Sequence, residues 1–264
     1  MLRLENVGIT FNRGTVNENK AIDGLTFHVR KKDYVTVIGS NGAGKSTLFN
    51  LIAGTYLSDT GKILLDGEDV TFEKEHRRAK YIGRLFQDPL KGTAPSMTIE
   101  ENLALAYLRG SRRGLSRGIK KSDREMFREK LASLGIGLED RMKTKVGLLS
   151  GGQRQALTLM MVTIVTPKLL LLDEHTAALD PATAIKVQEI TDKIISENGV
   201  TAIMITHNIN AALECGNRTI MMDGGKILLD IEGEERRNMT VEELLKKFKQ
   251  KSSRELDNDR ILLS

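Results

Sequence analysis

The chain has 264 residues, 40% of them hydrophobic but only 4% aromatic, enough for one large domain or two modest ones around an aliphatic core. A net charge of +5 is compatible with anionic ligands, an anionic lipid surface or nucleic acid, and it singles out none of them. One cysteine, Cys215, excludes an intramolecular disulfide and fits a reducing cytoplasmic setting. MLRLENVGITF lacks the apolar core of a secretory leader, and no apolar run approaches the ~18 residues that span a bilayer, so a role at a membrane requires another chain to supply the span.

In chain order, LRLENVGITF alternates and reads as a strand, followed by the polar loop GTVNEN. LTFHVRKKDYVTVIG predicts two strands around a charged, hairpin-like turn at Lys31–Asp33, the second a continuous apolar run suited to a buried parallel strand. GSNGAGKST comes next, then the helical LFNLIAG closed by Gly54, then a hairpin in GKILLDGEDV with Asp66-Gly67 at its tip. From about Pro89 to Thr166 strand signals nearly vanish. TIEENLALAYL, KSDREMFREKLASLG and QRQALTLMMVTIV read as helices, the last stopped by Pro167. Strands return in KLLLLDE and VTAIMIT, on either side of the helical ATAIKVQEITDKIISENG. TIMMDGGKILLD predicts a hairpin, VEELLKKFKQ a terminal helix, and SSRELDNDR a tail of low order. Strand, helix, strand with buried apolar strands implies an α/β parallel core, with the helical block over about 89–166 inserted in it.

Three short stretches carry chemistry. In GSNGAGKST, residues 39–47, Gly39, Gly44, Lys45 and Ser46 fit G-x-x-x-x-G-K-[ST]. Glycines let successive backbone N–H groups curl around phosphate oxygens, the following helix points its positive end there, Lys45 supplies a cation and Ser46 a hydroxyl for Mg²⁺. A glycine-rich turn with no ligand is the plain alternative, and the placement between a buried strand and a helix favours phosphate. Kinases, GTPases and ATPases all remain open, although no guanine-reading N-K-x-D stretch is present. In LLLLDE, Asp173 and Glu174 emerge at the end of a buried strand, where Asp173 can hold Mg²⁺ and Glu174 can deprotonate a water, against the alternative of a solvated strand cap. LSGGQ, residues 149–153, opens a helix with two residues that each cost about 1 kcal/mol relative to alanine. Ser150 is a good N-cap, but Gly151 and Gly152 need another reason, such as a second anion site for a different molecule.

LSGGQ between a GxxxxGKS loop and an LLLLDE strand resembles the ATP-binding subunit of an ATP-binding cassette (ABC) transporter, over about residues 1–235, with 236–264 left as a terminal helix and tail. The resemblance implies a P-loop NTPase core with a mainly parallel sheet, an N-terminal antiparallel β subdomain and an inserted α-helical subdomain. It implies ATP and Mg²⁺ held by Ser40, Asn41, Gly42, Ala43 and Thr47 along with the glycines, Lys45 and Ser46. Two copies would stack head to tail, Ser150, Gly151, Gly152 and Gln153 of one covering the γ-phosphate in the other, with Asp180 of AALD as a polar contact across the seam. Gln87 in RLFQDP matches the glutamine that reaches Mg²⁺ and water, His207 in MITHN the γ-phosphate sensor, and Phe11 the aromatic on adenine, for which a core strand phenylalanine is the alternative. The family usually has proline where this chain has His175, a change that would alter loop stiffness or add a titrating group near the base.

The implied partners are a second copy, a transmembrane permease and an extracytoplasmic solute-binding protein, with the cassette peripheral on the inner face of the membrane and no nucleic acid expected. KGTAPSMTIEEN is the candidate docking surface, since it follows Gln87 directly. Import is implied over export because exporters more often fuse their spans to the cassette. RLFQDPLKGTAPSMTIEENLALA is similar to cassettes of amino-acid importers. The competing class is a soluble ABC-type ATPase acting on DNA or ribosomes, whose usual coiled-coil insertions or paired cassettes are missing from this sequence. The basic stretch over 109–130 reads as a solvated face, with anionic headgroups or an acidic partner as its alternative.

Overall fold

The computed structural model describes residues 1–109 and 119–262, with side chains of the last helix described as far as Lys251. The chain divides into two compact units, Met1–Arg78 with Thr201–Ser264, and Ala79–Val200. The first begins with β1 (Leu2–Phe11), β2 (Asn19–Val29), β3 (Tyr34–Gly39), α1 (Lys45–Ala53), β4 (Thr60–Leu65), β5 (Glu68–Asp69) and α2 (Glu75–Arg78). The second holds β6 (Ile82–Leu85), α3 (Ile99–Tyr107), α4 (Lys121–Ala132), α5 (Gly151–Thr163), β7 (Leu169–Asp173) and α6 (Pro181–Asn198). The chain then returns to the first unit with β8 (Thr201–Ile205), α7 (Ile209–Glu214), β9 (Arg218–Asp223), β10 (Lys226–Glu232), α8 (Gly233–Arg237) and α9 (Val241–Leu262).

In the first unit an antiparallel sheet runs β2-β1-β4-β5. Its β4–β5 turn is the predicted Asp66-Gly67 hairpin, both residues at positive φ (53° and 88°), as a primed turn requires. The other strands run β10-β9-β3-β8, with β3 parallel to β8 and to β9, and the Asp223–Lys226 hairpin antiparallel as predicted. The turn at Lys31–Asp33 is not a hairpin. β2 pairs with β1 and β3 with β8 and β9, so the turn, with Lys32 at φ 67°, hands the chain from one sheet to another. The physical reason is in YVTVIG: Val35, Val37 and Ile38 are all buried, and a strand apolar on both faces belongs in the middle of a covered parallel sheet. Its outer cover comes from α7 and α9, where Ala212 and Leu244 join Ile38, Met221, Leu229 and Ile231 in one cluster. The last helix continues to Leu262, through the segment read from sequence as a tail of low order.

Helix α1 is closed by Gly54 as predicted, at φ 82° with its amide donating to the Asn50 and Leu51 carbonyls, and its last carbonyls are also held by a residue that periodicity does not flag. Arg78 is fully buried, and its guanidinium donates to the carbonyls of Leu51 (2.7 Å), Ile52 (2.9 Å), Glu73 (2.7 Å) and Thr71 (3.0 Å). A cation on the last carbonyls of a helix suits the macrodipole. Burial lowers its pKa to about 10, which leaves it charged at neutral pH.

In the second unit β6 and β7 are parallel, in register from Ile82↔Leu169 to Leu85↔Leu172. Among the described residues no strand lies between β6 and β7, as the sequence predicts. α3 begins with a capping box of Thr98 and Glu101, and the buried Asn102 ties down the preceding loop through Ala94 and Thr98. α6 is capped at both ends, by Asp180 accepting from the Thr183 amide and by Gly199 at φ 57°.

Candidate functional site

In the first unit, β3 delivers the chain into the glycine-rich turn. Gly39 has φ 156°, and a Cβ there would lie 2.2 Å from the Met222 carbonyl oxygen of the neighbouring strand, so no side chain is tolerated. The turn closes with the Ala43 amide donating to the Ser40 carbonyl (3.2 Å), while Gly42 and Gly44 take φ of 86° and 96°. Lys45, the first residue of α1, is buried, and its ammonium donates to the carbonyls of Gly39 and Ser40, both at 2.8 Å. The Ser40 hydroxyl donates to the Asp223 carboxylate (3.0 Å). Asn41, Gly42 and Ser46 are exposed, and Thr47 is half-buried. His207 lies exposed two residues beyond β8, on the same strand edge, where the Thr206 amide still donates to the Val37 carbonyl (3.2 Å). Phe11, at the end of β1, is half-buried and meets Tyr56 edge-on, ring centroids 5.3 Å apart.

In the second unit, the register of β6 and β7 puts Gln87 and the Asp173-Glu174 pair at the same carboxyl edge. Two features there were not singled out from sequence. Arg84, on β6, lies 3.6 Å from the Asp173 carboxylate and 4.7 Å from the centre of the Phe86 ring. Glu174 is in the left-handed region, φ 48°, its carbonyl accepting from the Ala177 amide (3.0 Å). His175 is 2% exposed, with Nε2 3.2 Å from the Thr191 hydroxyl on α6. That hydroxyl spends its proton on the Val187 carbonyl (2.8 Å), so its oxygen accepts and the imidazole proton sits on Nε2. Burial pushes the histidine pKa down to about 4, so the expected titrating group near the base is instead a neutral, buried ring at neutral pH.

LSGGQ also has an explanation within the chain. Both glycines lie in the first turn of α5, capped by Ser150, whose hydroxyl accepts from the Gln153 amide (3.3 Å) while the Gln153 side chain accepts from the Ser150 amide (3.3 Å). A Cβ on Gly152 would lie 2.1 Å from the Thr183 methyl on α6, whereas Gly151 is exposed and its Cβ would meet only Leu179, at 3.3 Å. Gly152 is therefore required by the close approach of α5 and α6. Asp180 is exposed, and hydrogen bonds from Thr183 hold its carboxyl below the usual range.

Of the candidate metal donors, the Ser46 hydroxyl belongs to the first unit, and the Gln87 amide oxygen and the Asp173 carboxylate belong to the second. Among the described residues no cluster of three His, Cys, Asp or Glu side chains could hold a metal. Few donors, all of them hard oxygens, fit Mg²⁺, which keeps waters and phosphate oxygens in its shell and needs no all-protein cage. Of the basic stretch, residues 110–118 lie outside the described residues. In α4, Arg124 lies 3.0 Å from the Glu100 carboxylate of α3 and Lys121 lies 3.9 Å from Glu125, while Arg109 is half-buried with its guanidinium donating to the Val165 carbonyl.

The family described as ABC transporter matches residues 22–177. The chain belongs to that family. It is 42% identical over 248 residues to the tyrosine transport ATP-binding protein of Clostridioides difficile, covering 94% of this chain and 98% of that one. It is 34% identical over 230 residues to the xylose/arabinose import ATP-binding protein of Sulfolobus acidocaldarius, covering 87% and 89%. An ATP-binding cassette solved as a dimer in a post-hydrolysis state with ADP and Pi superposes with a TM-score of 0.75 at 27% identity, covering 88% of this chain and 98% of that one. This ABC cassette is an ATPase whose turnover is coupled to transport. Among the described residues no helix is long and apolar enough to cross a membrane.

Proposed function

We propose that the chain energises import of an amino acid by ATP-driven association of two copies beneath a transmembrane permease, peripheral on the inner face of the membrane and supplied by a solute-binding protein. In this reading Gly39–Thr47 cradles the triphosphate, Lys45 swings its ammonium from loop carbonyls to the β- and γ-phosphates, and Phe11 stacks on adenine. Ser46, Asp173 and Gln87 would hold Mg²⁺, which when bound neutralises charge on the phosphates. Glu174 takes a proton from the water that attacks the γ-phosphorus, His207 contacts the γ-phosphate, and ADP and phosphate leave. Ser150, Gly151, Gly152, Gln153 and Asp180 face the nucleotide of the second copy, and loss of the shared phosphate loosens the pair. KGTAPSMTIEEN is the surface offered to the permease.

The observation that carries this reading is the parallel register ending at Leu85↔Leu172, which supports a glutamine and two carboxylates acting together at one strand edge. The amino-acid cargo is supported by the likeness to the tyrosine transport protein, which extends over 98% of that relative. Glu174→Gln provides the test. Hydrolysis should fall on the order of 10²–10⁴-fold with ATP binding by calorimetry intact and an ATP-trapped dimer on gel filtration. In cells, the same substitution should stop uptake of a labelled amino acid in a panel that includes pentoses. Near-normal hydrolysis removes Glu174 from its role, and loss of pentose uptake alone overturns the cargo.

A further inference from the structure

Glu174 occupies a left-handed backbone conformation at φ 48°, which a non-glycine residue keeps only where its surroundings over-determine it. On its N-terminal side the chain is fixed by β7, whose Leu172 is fully buried and in register with Leu85. On its C-terminal side the next residue is His175, 2% exposed, with Nε2 3.2 Å from Thr191. Thr191 is fully buried and sits mid-helix in α6, flanked by the buried Val187, Ile190 and Ile194. With its proton committed to the Val187 carbonyl, its oxygen is a fixed acceptor aimed at the imidazole N–H.

We propose that His175 is a positioning residue for hydrolysis: its hydrogen bond to Thr191 fastens the turn bearing Glu174 to α6 and so holds the carboxylate where the attacking water must lose its proton. The inference rests on the reading of Glu174 as the base. A proline would stiffen this position through its own ring. Here a side chain anchored to a capped helix of 18 residues does so from outside the backbone. Because a misplacement of about 1 Å at a reacting group can cost as much as ~100-fold, the anchor is expected to register in turnover before it registers in nucleotide affinity.

The test uses the full chain with its membrane partner and four single substitutions. Thr191→Val keeps the shape of the side chain and deletes the acceptor, and His175→Leu deletes the donor. Thr191→Ser keeps the hydroxyl, and His175→Gln carries an N–H to about the position of Nε2. Thr191→Val and His175→Leu should each lower kcat roughly tenfold or more with KM for ATP changed less than about twofold, and the double variant should be no worse than the poorer single. Ser and Gln should retain most of the activity. Wild-type kcat in Thr191→Val overturns the proposal, as does a loss in which kcat, KM and melting temperature fall together in all four variants. Glu174→Gln is measured alongside. If it hydrolyses normally, the reading of the base has failed; if it is inactive while Thr191→Val is normal, only the anchor has failed.

Discussion

His175 ties acid stability to a single side chain. Its folded-state pKa of about 4 lies below the 6.5 of a free histidine, so between those values the unfolded chain binds a proton that the folded chain refuses. Stability from this source is complete above pH 6.5 and is lost as pH falls toward 4, with a penalty on the order of 2 kcal/mol by pH 5. In His175→Leu that component disappears, so urea midpoints measured from pH 7 to pH 5 should decline less steeply than in wild type. Parallel decline of the two proteins would assign the acid sensitivity elsewhere. The residue itself was visible beside Asp173-Glu174, but its environment was not. Its partner Thr191 lies 16 residues away on a different element, and no local pattern announces such a contact. Arg84 escaped for a similar reason: a charge inside IGRL looks like an exposed strand position until β7 brings Asp173 within 3.6 Å.

At the scale of elements, the junction of α5 and α6 gives a prediction of opposite sign to helix propensity. Replacing a helical glycine by alanine ordinarily gains about 1 kcal/mol. Here the added methyl would sit 2.1 Å from the Thr183 Cγ2, and overpacking of this kind costs ~1–3 kcal/mol. Gly152→Ala should therefore lower the unfolding midpoint, and Thr183→Ser, which removes the opposing methyl, should restore it in the double variant. A more stable Gly152→Ala would mean that the two helices do not approach as described. The cap that starts α5, Ser150, is legible because it is a local preference expressed within four residues, whereas Asp180, read from sequence only as a contact across the seam, also caps α6, which Gly199 closes. The helices α2, α7 and α8, of four to six residues, are too short to show a period. The turn at Lys31–Asp33 was misread because its charged residues suit a hairpin, whereas the pairing of β3 is decided by distant strands.

For the whole molecule, the question raised by LSGGQ divides in two. Gly152 is accounted for inside one chain, by Thr183, whereas the exposed Ser150 and Gly151 leave a capped helix end facing outward. In the proposed function that end completes the nucleotide site of a second copy, and this has a consequence that no property of an isolated chain shares. Lys45→Ala disables the phosphate loop of its own chain but leaves its outward helix end intact, and Ser150→Phe does the reverse. Each variant alone forms two defective sites per dimer. Mixed and allowed to exchange, half of the dimers pair one chain of each kind, and each of these unites an intact loop with an intact helix end once. Hydrolysis should then reappear at about a quarter of the wild-type rate from two inactive proteins, by the arithmetic of a two-fold symmetric pair with independent sites. The measurement is phosphate release after mixing, with dimer exchange followed separately by mass. Activity of either variant alone, or exchange without any recovery, would mean that each chain closes its own site and that the outward helix end serves another purpose.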